Sequence, residues 1–124
     1  MEEWKELFEA FASKFNLDSF YDPSAPVEIL LRIPEQTGLG FSLTLYLQNY
    51  DEHWLDVGPY GSFCMFPYDE KYEHYRKCVE GLITGGARLV LFQQGRLKRT
   101  RRADLQLRQG NGWVYAAATT YMFK

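Results

Sequence analysis

Apolar residues recur at helical spacing most clearly over residues 69–84. One falls every three or four positions, which places these side chains on a single stripe of a helix. The stripe consists of Tyr72, Tyr75, Cys78, Val79, Leu82 and Ile83. The pattern predicts a helix that begins near Asp69, whose carboxylate can cap the first turn, and that ends at Gly85. Gly81 interrupts this helix, and we expect close packing against a sheet to account for it.

A second helical stripe lies over residues 2–16. Its apolar face carries Trp4, Leu7, Phe8, Phe11 and Phe15. Its polar face is mainly acidic, which is atypical of a helix on a membrane surface, where Lys and Arg are expected. An isolated helix of this length is only marginally stable in water, so the stripe predicts a helix that packs on a sheet.

Elsewhere the pattern alternates with a period of two, as is typical of strands with one covered face. Six strands are predicted, over residues 27–33, 39–48, 53–57, 87–93, 97–108 and 113–123. The fold class is α+β, with the order αβββαβββ in one domain covering residues 1–124. We expect a mainly antiparallel, six-stranded curved sheet with two helices packed on one face. Over residues 96–102, arginines stand at both odd and even positions, so a regular strand would carry them on both of its faces. This pattern predicts a protruding hairpin end or a β-bulge.

The composition is that of a soluble globular protein, with 46% hydrophobic and 24% charged residues. No segment approaches the roughly twenty apolar residues of a membrane span. The acidic, amphipathic N-terminus does not have the pattern of a signal peptide. Cys64 and Cys78 form no CxxC motif, so we expect two small buried thiols in a cytoplasmic protein.

Charge is distributed unevenly, although the net formal charge is only −2. Through Gly86 there are six Lys or Arg and fifteen Asp or Glu. From Ala87 onward there are eight basic residues and a single acid, Asp104. Such asymmetry between the two halves indicates a charged partner.

The sequence contains no catalytic or metal-binding motif. His53 beside a turn and His74 on the polar side of the second helix are expected to be solvated. Cys64 has no histidine motif near it and is expected to be a packing residue. The His, Cys and carboxylate residues lack ligand spacing, and the glycines lack the order and the lysine of a phosphate loop. We therefore predict a non-enzymatic protein with no catalytic residues, no cofactor and no metal.

Two candidate partner-binding surfaces remain, and the first is an acidic aromatic patch. It groups residues on or beside the second and third strands, namely Tyr46, Asp51, Glu52, Trp54 and Asp56. Exposed aromatic side chains flanked by charge are typical of the energetic centres of protein interfaces. The alternative is that a loop, the first helix or a second copy of the chain covers these residues.

The second candidate surface is a basic hairpin. Its cations are Arg96, Lys98, Arg99, Arg101 and Arg102. Three interpretations are open: a solvated hairpin tip with no specific role, contact with an acidic protein surface such as the acidic half of another copy, and phosphate binding. The negative net charge disfavours nucleic acid, because nucleic-acid-binding domains are usually basic overall.

A series of turn and glycine motifs gives the chain one family resemblance. The motifs are GPYGSF at 58–63, FPYD at 66–69, GLITGG at 81–86 with Arg88, GRL at 95–97, DLQ at 104–106 and GW at 112–113. The chain resembles small bacterial α+β proteins associated with polymorphic or contact-dependent toxin systems. Members of that group act as immunity proteins, so the resemblance implies a protein that binds a cognate toxin domain and blocks it.

These observations favour a protein-binding module, and the resemblance implies an immunity protein that occludes a toxin domain. A nucleic-acid-binding protein that uses the basic hairpin is the second hypothesis. A small-ligand-binding or enzymatic α+β domain is the third. No membrane partner is expected, nucleic acid is disfavoured, and a homodimer is left open.

Overall fold

The computed structural model describes residues 2–65, 72–97 and 99–119. Two helices and eight strands lie in these ranges. In chain order they are α1 Glu2–Lys14, β1 Phe20–Tyr21, β2 Ile29–Ile33, β3 Leu43–Gln48, β4 Glu52–Val57, β5 Gly61–Met65, α2 Glu73–Thr84, β6 Ala87–Gln94, β7 Arg99–Gln109 and β8 Gly112–Ala118. The predicted class is confirmed: this is an α+β protein with two helices and antiparallel sheets.

The strands form two sheets, so the prediction of a single six-stranded sheet is wrong. One sheet contains β1 to β5 in sequence order, and the other contains β6, β7 and β8. The predicted order αβββαβββ is wrong as well, because the structure adds the two-residue strand β1 and the strand β5, which follows a glycine–proline turn. The N–H of Tyr60 donates to the carbonyl of Val57, and this tight turn returns β5 along β4. Among the described residues, β5 and β8 approach each other without a backbone ladder.

The alternation predicted for the second strand is confirmed in β3. Leu45 lies opposite Leu31 of β2 and Leu55 of β4, and all three side chains are buried. Leu43 and Leu47 are buried on the same face. Because successive side chains of a strand point to opposite faces, the residues between these leucines lie on the second face of the sheet.

One buried cluster joins both helices and both sheets. The helices contribute Trp4, Phe8 and Phe11 from α1, and Tyr75, Cys78, Val79 and Leu82 from α2. The three-stranded sheet contributes Ala103, Leu105 and Ala117. The apolar stripes predicted for the helices thus meet the apolar faces of the strands, since each element has only one such face to bury.

The second helix begins later than predicted and ends where predicted. It starts at Glu73, with Tyr72 as an N-cap that makes no side-chain capping hydrogen bond. Asp69, the predicted cap, lies outside the described residues. At the other end Gly85 has φ 87°, a left-handed conformation that glycine adopts without a Cβ penalty.

The interruption of α2 by Gly81 has the predicted explanation. A Cβ atom placed on Gly81 would lie 2.9 Å from the Cβ atom of Ala87, the first residue of β6. The helix therefore approaches the strand more closely than any side chain at this position would permit.

The hydroxyl of Tyr75 links α2 to the five-stranded sheet. It is fully buried and donates to the carbonyl of Trp54 at 2.7 Å. The variant Tyr75→Phe keeps the ring and removes this hydrogen bond, so we expect the free energy of unfolding to fall by about 1 kcal/mol. Urea denaturation measures this free energy. Tyr115→Phe is the control, because Tyr115 is exposed and loss of its hydroxyl should change the free energy of unfolding little. Equal losses in the two variants would contradict the role of this bond.

Candidate protein-binding surface

Trp54 of the acidic aromatic patch is buried, so the predicted exposure of this side chain is wrong. Its exposed fraction is 6%. The Tyr46 ring lies opposite on β3, stacked at 5.7 Å with an interplanar angle of 2°, and Cys64 lies opposite on β5. The indole N–H donates to Glu52 Oε1 at 3.0 Å. Trp54 is flanked on both sides because β4 is a central strand, and the sequence did not reveal the flanking β5.

The other polar groups of the patch are largely engaged with one another. The Tyr46 hydroxyl donates to Asp56 Oδ1 at 3.1 Å. Burial of this pair raises the pKa of the Tyr46 hydroxyl, and the Asp56 charge raises it further. Burial likewise raises the pKa of the Asp56 carboxyl. Glu52 accepts from Asn49 at 3.0 Å as well as from Trp54, and these hydrogen bonds lower its pKa.

The acidic aromatic patch is therefore mainly an internal network of the sheet. Within the set, Asp51 is exposed, whereas Tyr46, Glu52 and Asp56 are half-buried. Aromatic anchors of interfaces contribute by moving from water into a partner's pocket. Trp54 is already buried within its own chain, so it has little exposed surface left to transfer. A binding role for the patch stays a prediction, and its geometry offers little surface for one.

His53 is buried, so the prediction of a solvated side chain is wrong. Its exposed fraction is 1%, and its ring centroid lies 3.7 Å from that of Trp4. Tyr72 and Tyr75 make edge contacts with the same imidazole at 5.1 and 5.8 Å. Burial lowers the pKa of His53 to about 4. Parity could have revealed this position, because His53 lies two and four residues from buried Leu55 and Val57 on one strand face.

The remaining candidate nucleophiles and bases are buried or half-buried. Cys78 is buried, and Cys64 is half-buried instead of fully buried as predicted. Burial raises the pKa of the two thiols to about 12 and about 11, respectively. A thiol with so high a pKa is protonated at neutral pH and is a poor nucleophile. His74 is half-buried, with its Nε2 atom 2.9 Å from the carbonyl oxygen of Ala116, so its predicted full solvation is also wrong.

The basic hairpin leaves the core at its distal end. It consists of β6, the turn at Gly95 and β7. From Leu91 to the turn, both faces of β6 are exposed. The register shifts after Phe92, which pairs with Arg102, while Gln93 pairs with Thr100. The predicted protruding hairpin end and bulge are therefore both confirmed, with Arg101 as the extra residue.

The distal end of the hairpin, residues 91–102, combines apolar and basic side chains. We call this segment the hairpin tip. Leu97 is 80% exposed, Phe92 47% and Leu91 38%. Arg96, Arg99 and Arg101 are also exposed, and they form no ion pair with any described residue. Lys98 lies outside the described residues.

Arg102 differs from the other arginines of the tip because it has an acidic partner. Its guanidinium donates to Asp104 Oδ1 at 2.6 Å and to Oδ2 at 3.1 Å. The same guanidinium lies 5.5 Å from the centroid of the Phe92 ring. Asp104 is thus occupied locally, and no described acid of the first half of the chain forms an ion pair with the tip.

A basic and aromatic surface continues from the tip across the three-stranded sheet. We call the side away from the helices the outer face. Its exposed or half-buried members include Arg88, Phe92, Arg102, Gln106, Arg108, Trp113 and Tyr115. Arg88 donates to Gln106 at 2.9 Å and lies 4.4 Å from the Trp113 ring centroid. Tyr115 is 61% exposed. The outer face therefore carries both arginine and aromatic groups beside water.

Sequence reasoning found the arginines of the tip and missed the outer face. The signal lay in parity, since Trp113 and Tyr115 share one side of β8, and Arg88 shares one side of β6 with Phe92. What parity could not supply was the pairing register, which places Arg108 opposite Trp113 and Gln106 opposite both Arg88 and Tyr115. Only that register brings the side chains of three strands onto one surface.

The chain is thus an α+β protein whose smaller sheet presents a basic, aromatic face and a projecting hairpin. No family model matches it, and neither a curated protein nor a solved structure matches it. Within residues 2–65, 72–97 and 99–119, no helix has the length and apolar character needed to cross a membrane. In the same ranges, no three His, Cys, Asp or Glu side chains lie together as metal ligands do.

Proposed function

We propose that this chain is a non-enzymatic protein-binding module that binds an acidic partner through the hairpin tip and the adjoining outer face. The observation that carries the proposal is the exposure of Leu97 and Phe92 on a tip whose Arg96, Arg99 and Arg101 have no acidic partner among the described residues. A tip that served only as a solvated turn would gain nothing from large apolar side chains in water. Arginine and aromatic residues are also the side chains enriched at the energetic centres of interfaces.

Charge supports an acidic partner. From Ala87 onward the chain has eight basic residues and one acid, and Arg102 already binds that acid. A partner surface rich in Asp and Glu would accelerate encounter and would exclude basic competitors. Association should therefore slow as ionic strength rises, because salt screens exposed charges beyond about 8 Å at physiological concentration.

The resemblance to immunity proteins suggests what the binding achieves. An immunity protein acts by covering a functional surface of its toxin, and a hairpin that extends past its own core suits a concave partner site. Under this proposal the tip enters the cleft of a toxin domain, and the outer face closes over its rim. The chain would contribute shape and charge to inhibition, with no chemical step of its own.

The test uses the protein encoded by the reading frame directly upstream as the partner. We expect it to bind the wild-type chain, and we expect Arg99→Glu/Arg101→Glu to weaken binding at least tenfold by calorimetry, roughly 1.4 kcal/mol. The matched control is Lys5→Glu/Lys77→Glu, which makes the same charge change at two exposed lysines outside the tip.

The two variants separate the outcomes. Loss of binding in the tip variant alone supports the proposal. An equal loss in both variants would mean that only net charge matters, and absence of binding by the wild-type chain would reject this partner and the immunity role. Growth protection in cells that co-express a toxic partner should follow the same order of variants.

The outer face also favours a second candidate, a single-stranded nucleic acid. Trp113 under Arg88, with Tyr115 exposed nearby, could stack bases while guanidinium groups bind phosphates. A gel shift with oligothymidine and oligouridine at low salt tests this candidate. We expect no retention, because the acidic half of the chain repels a polyanion, and retention that disappears steeply with salt would favour nucleic acid over protein.

A further inference from the structure

Within the described residues, the strand β6 has one free edge. Because the N–H of Arg108 donates to the carbonyl of Gly86 at 2.8 Å, antiparallel alternation makes Arg88, Val90 and Phe92 the next residues bonded to β7. The backbone N–H and C=O groups of Leu89 and Leu91 must then point away from β7. β6 is the end strand of its sheet, so no strand of the described chain pairs with these groups.

This edge lacks most of the features that protect edge strands. Over Leu89, Val90, Leu91 and Phe92 the sequence has no proline and no charge. At the Ala87 end the close approach of Gly81 covers the strand. The bulge after Phe92 limits the regular edge at the other end. The accessible edge is therefore about four residues long and apolar on both faces.

The other end strands of the two sheets are less suited to pairing with an added strand. β1 has only two residues. β5 and β8, which end their respective sheets, approach each other. Among the described strands, β6 is thus the one whose free edge is long, apolar and directly continuous with the hairpin tip.

We infer that the partner contributes an extended segment that adds to β6 as a further strand. This inference rests on the proposed function and specifies its binding mode. The segment would pair with the backbone groups of Leu89 and Leu91 and place apolar side chains beside residues 89–92. Its end nearest the tip would carry Asp or Glu, because Arg96, Arg99 and Arg101 have no acidic partner in the described chain.

A second copy of the chain fits this edge less well. Pairing β6 with β6 would join the three-stranded sheets of two copies. The strands β6 to β8 contain one acid, Asp104, which Arg102 already binds. The arginines of both tips would stay without acidic partners. The charge of the site therefore favours a foreign acidic segment.

Two synthetic peptides test the inference on the full chain. One has three Glu followed by five alternating Val and Thr, and the other has the same residues in reverse order. An antiparallel added strand places the acids of the first peptide at the tip, and a parallel strand places those of the second there. We expect one peptide to bind at least tenfold more tightly than the other and to slow hydrogen exchange at the amides of Leu89 and Leu91.

Proline at an outward-facing position supplies the matched variant. Leu91→Pro removes an N–H that points away from β7, so the sheet keeps its own hydrogen bonds. Leu91→Thr changes the side chain and keeps the N–H. We expect Leu91→Pro to weaken binding of the preferred peptide at least tenfold and Leu91→Thr to weaken it less than threefold. If the proline variant is unstable, hydrogen exchange in the wild-type chain still tests strand addition, because a bound peptide should slow exchange at the amides of Leu89 and Leu91.

The same variants separate this inference from the proposed function. One outcome is that the upstream-encoded partner binds the Leu91→Pro protein normally and fails to bind the Arg99→Glu/Arg101→Glu protein. In that case strand addition is wrong and the protein-binding function stands. If neither peptide changes exchange at Leu89 and Leu91, strand addition is likewise overturned. Exchange that is already slow and depends on protein concentration would assign the edge to a second copy. An oligonucleotide that protects these amides would assign it to nucleic acid.

Discussion

Acidification from pH 7 to pH 4 is expected to lower the free energy of unfolding by about 3 kcal/mol through His53 alone. Burial among aromatic rings lowers the pKa of His53 from 6.5 to about 4 in the folded protein. Between these values the unfolded chain binds a proton that the folded chain excludes. The stability contribution is therefore complete above pH 6.5 and is lost as the pH falls towards 4.

Urea denaturation at half-unit pH intervals measures this loss. His53→Phe keeps a ring between Trp4 and Tyr75 and has no titrating group, so its stability should change little between pH 6.5 and 5. This window excludes Asp22 and Glu52, whose lowered pKa values make them titrate at lower pH. Asp56 has a raised pKa and changes stability in the opposite direction. A His53→Phe protein that kept the full wild-type slope would show that His53 is not the cause.

The second large effect is expected at Gly81, where alanine should destabilise the protein by about 2 kcal/mol. Alanine usually stabilises a helix interior by about 1 kcal/mol relative to glycine. Here its Cβ would lie 2.9 Å from Ala87 Cβ and 3.3 Å from Ala87 N. Both atoms belong to or adjoin the backbone of β6, so relief requires movement of the strand. Overpacking of this kind costs up to about 3 kcal/mol, which exceeds the helical gain.

Chemical denaturation of three variants tests this explanation. Gly86→Ala is the matched control, because a Cβ there meets Thr84 Oγ1 at an ordinary 3.5 Å. In the double variant Gly81→Ala/Ala87→Gly the nearest clash is removed, and we expect more than half of the lost stability to return. A stabilised Gly81→Ala protein would mean that α2 and β6 separate easily at this point.

The helices and the alternating strands were predictable because their signals are local. The stripe containing Trp4 and Phe8 and the alternation through Leu43, Leu45 and Leu47 each reflect one element with one apolar face. The bulge near Arg101 was also predictable, since arginines on both parities are incompatible with a regular half-buried strand. Gly81 indicated a close approach because nothing in an isolated helix favours glycine.

The candidate site was only half predictable. The basic residues of the hairpin tip were visible as a run, and their exposure follows from charge. The exposure of Trp54 was predicted wrongly, because alternation shows which face a side chain occupies and not whether neighbouring strands cover it. The outer face was missed, since Arg88 and Trp113 lie 25 positions apart in sequence and meet only through the register of β7.

By itself, therefore, the sequence determined the two helices, most strands, the α+β class and the uneven charge of the two halves. Each depends on residues within a few positions of one another, where backbone periodicity and composition suffice. The tertiary structure alone decided that the strands divide into two sheets, that Trp54 is buried, and that β6, within the described residues, keeps a free apolar edge beside Arg96, Arg99 and Arg101, which have no acidic partner there. Each of these depends on which distant segments pair, and that is settled by packing across the whole core.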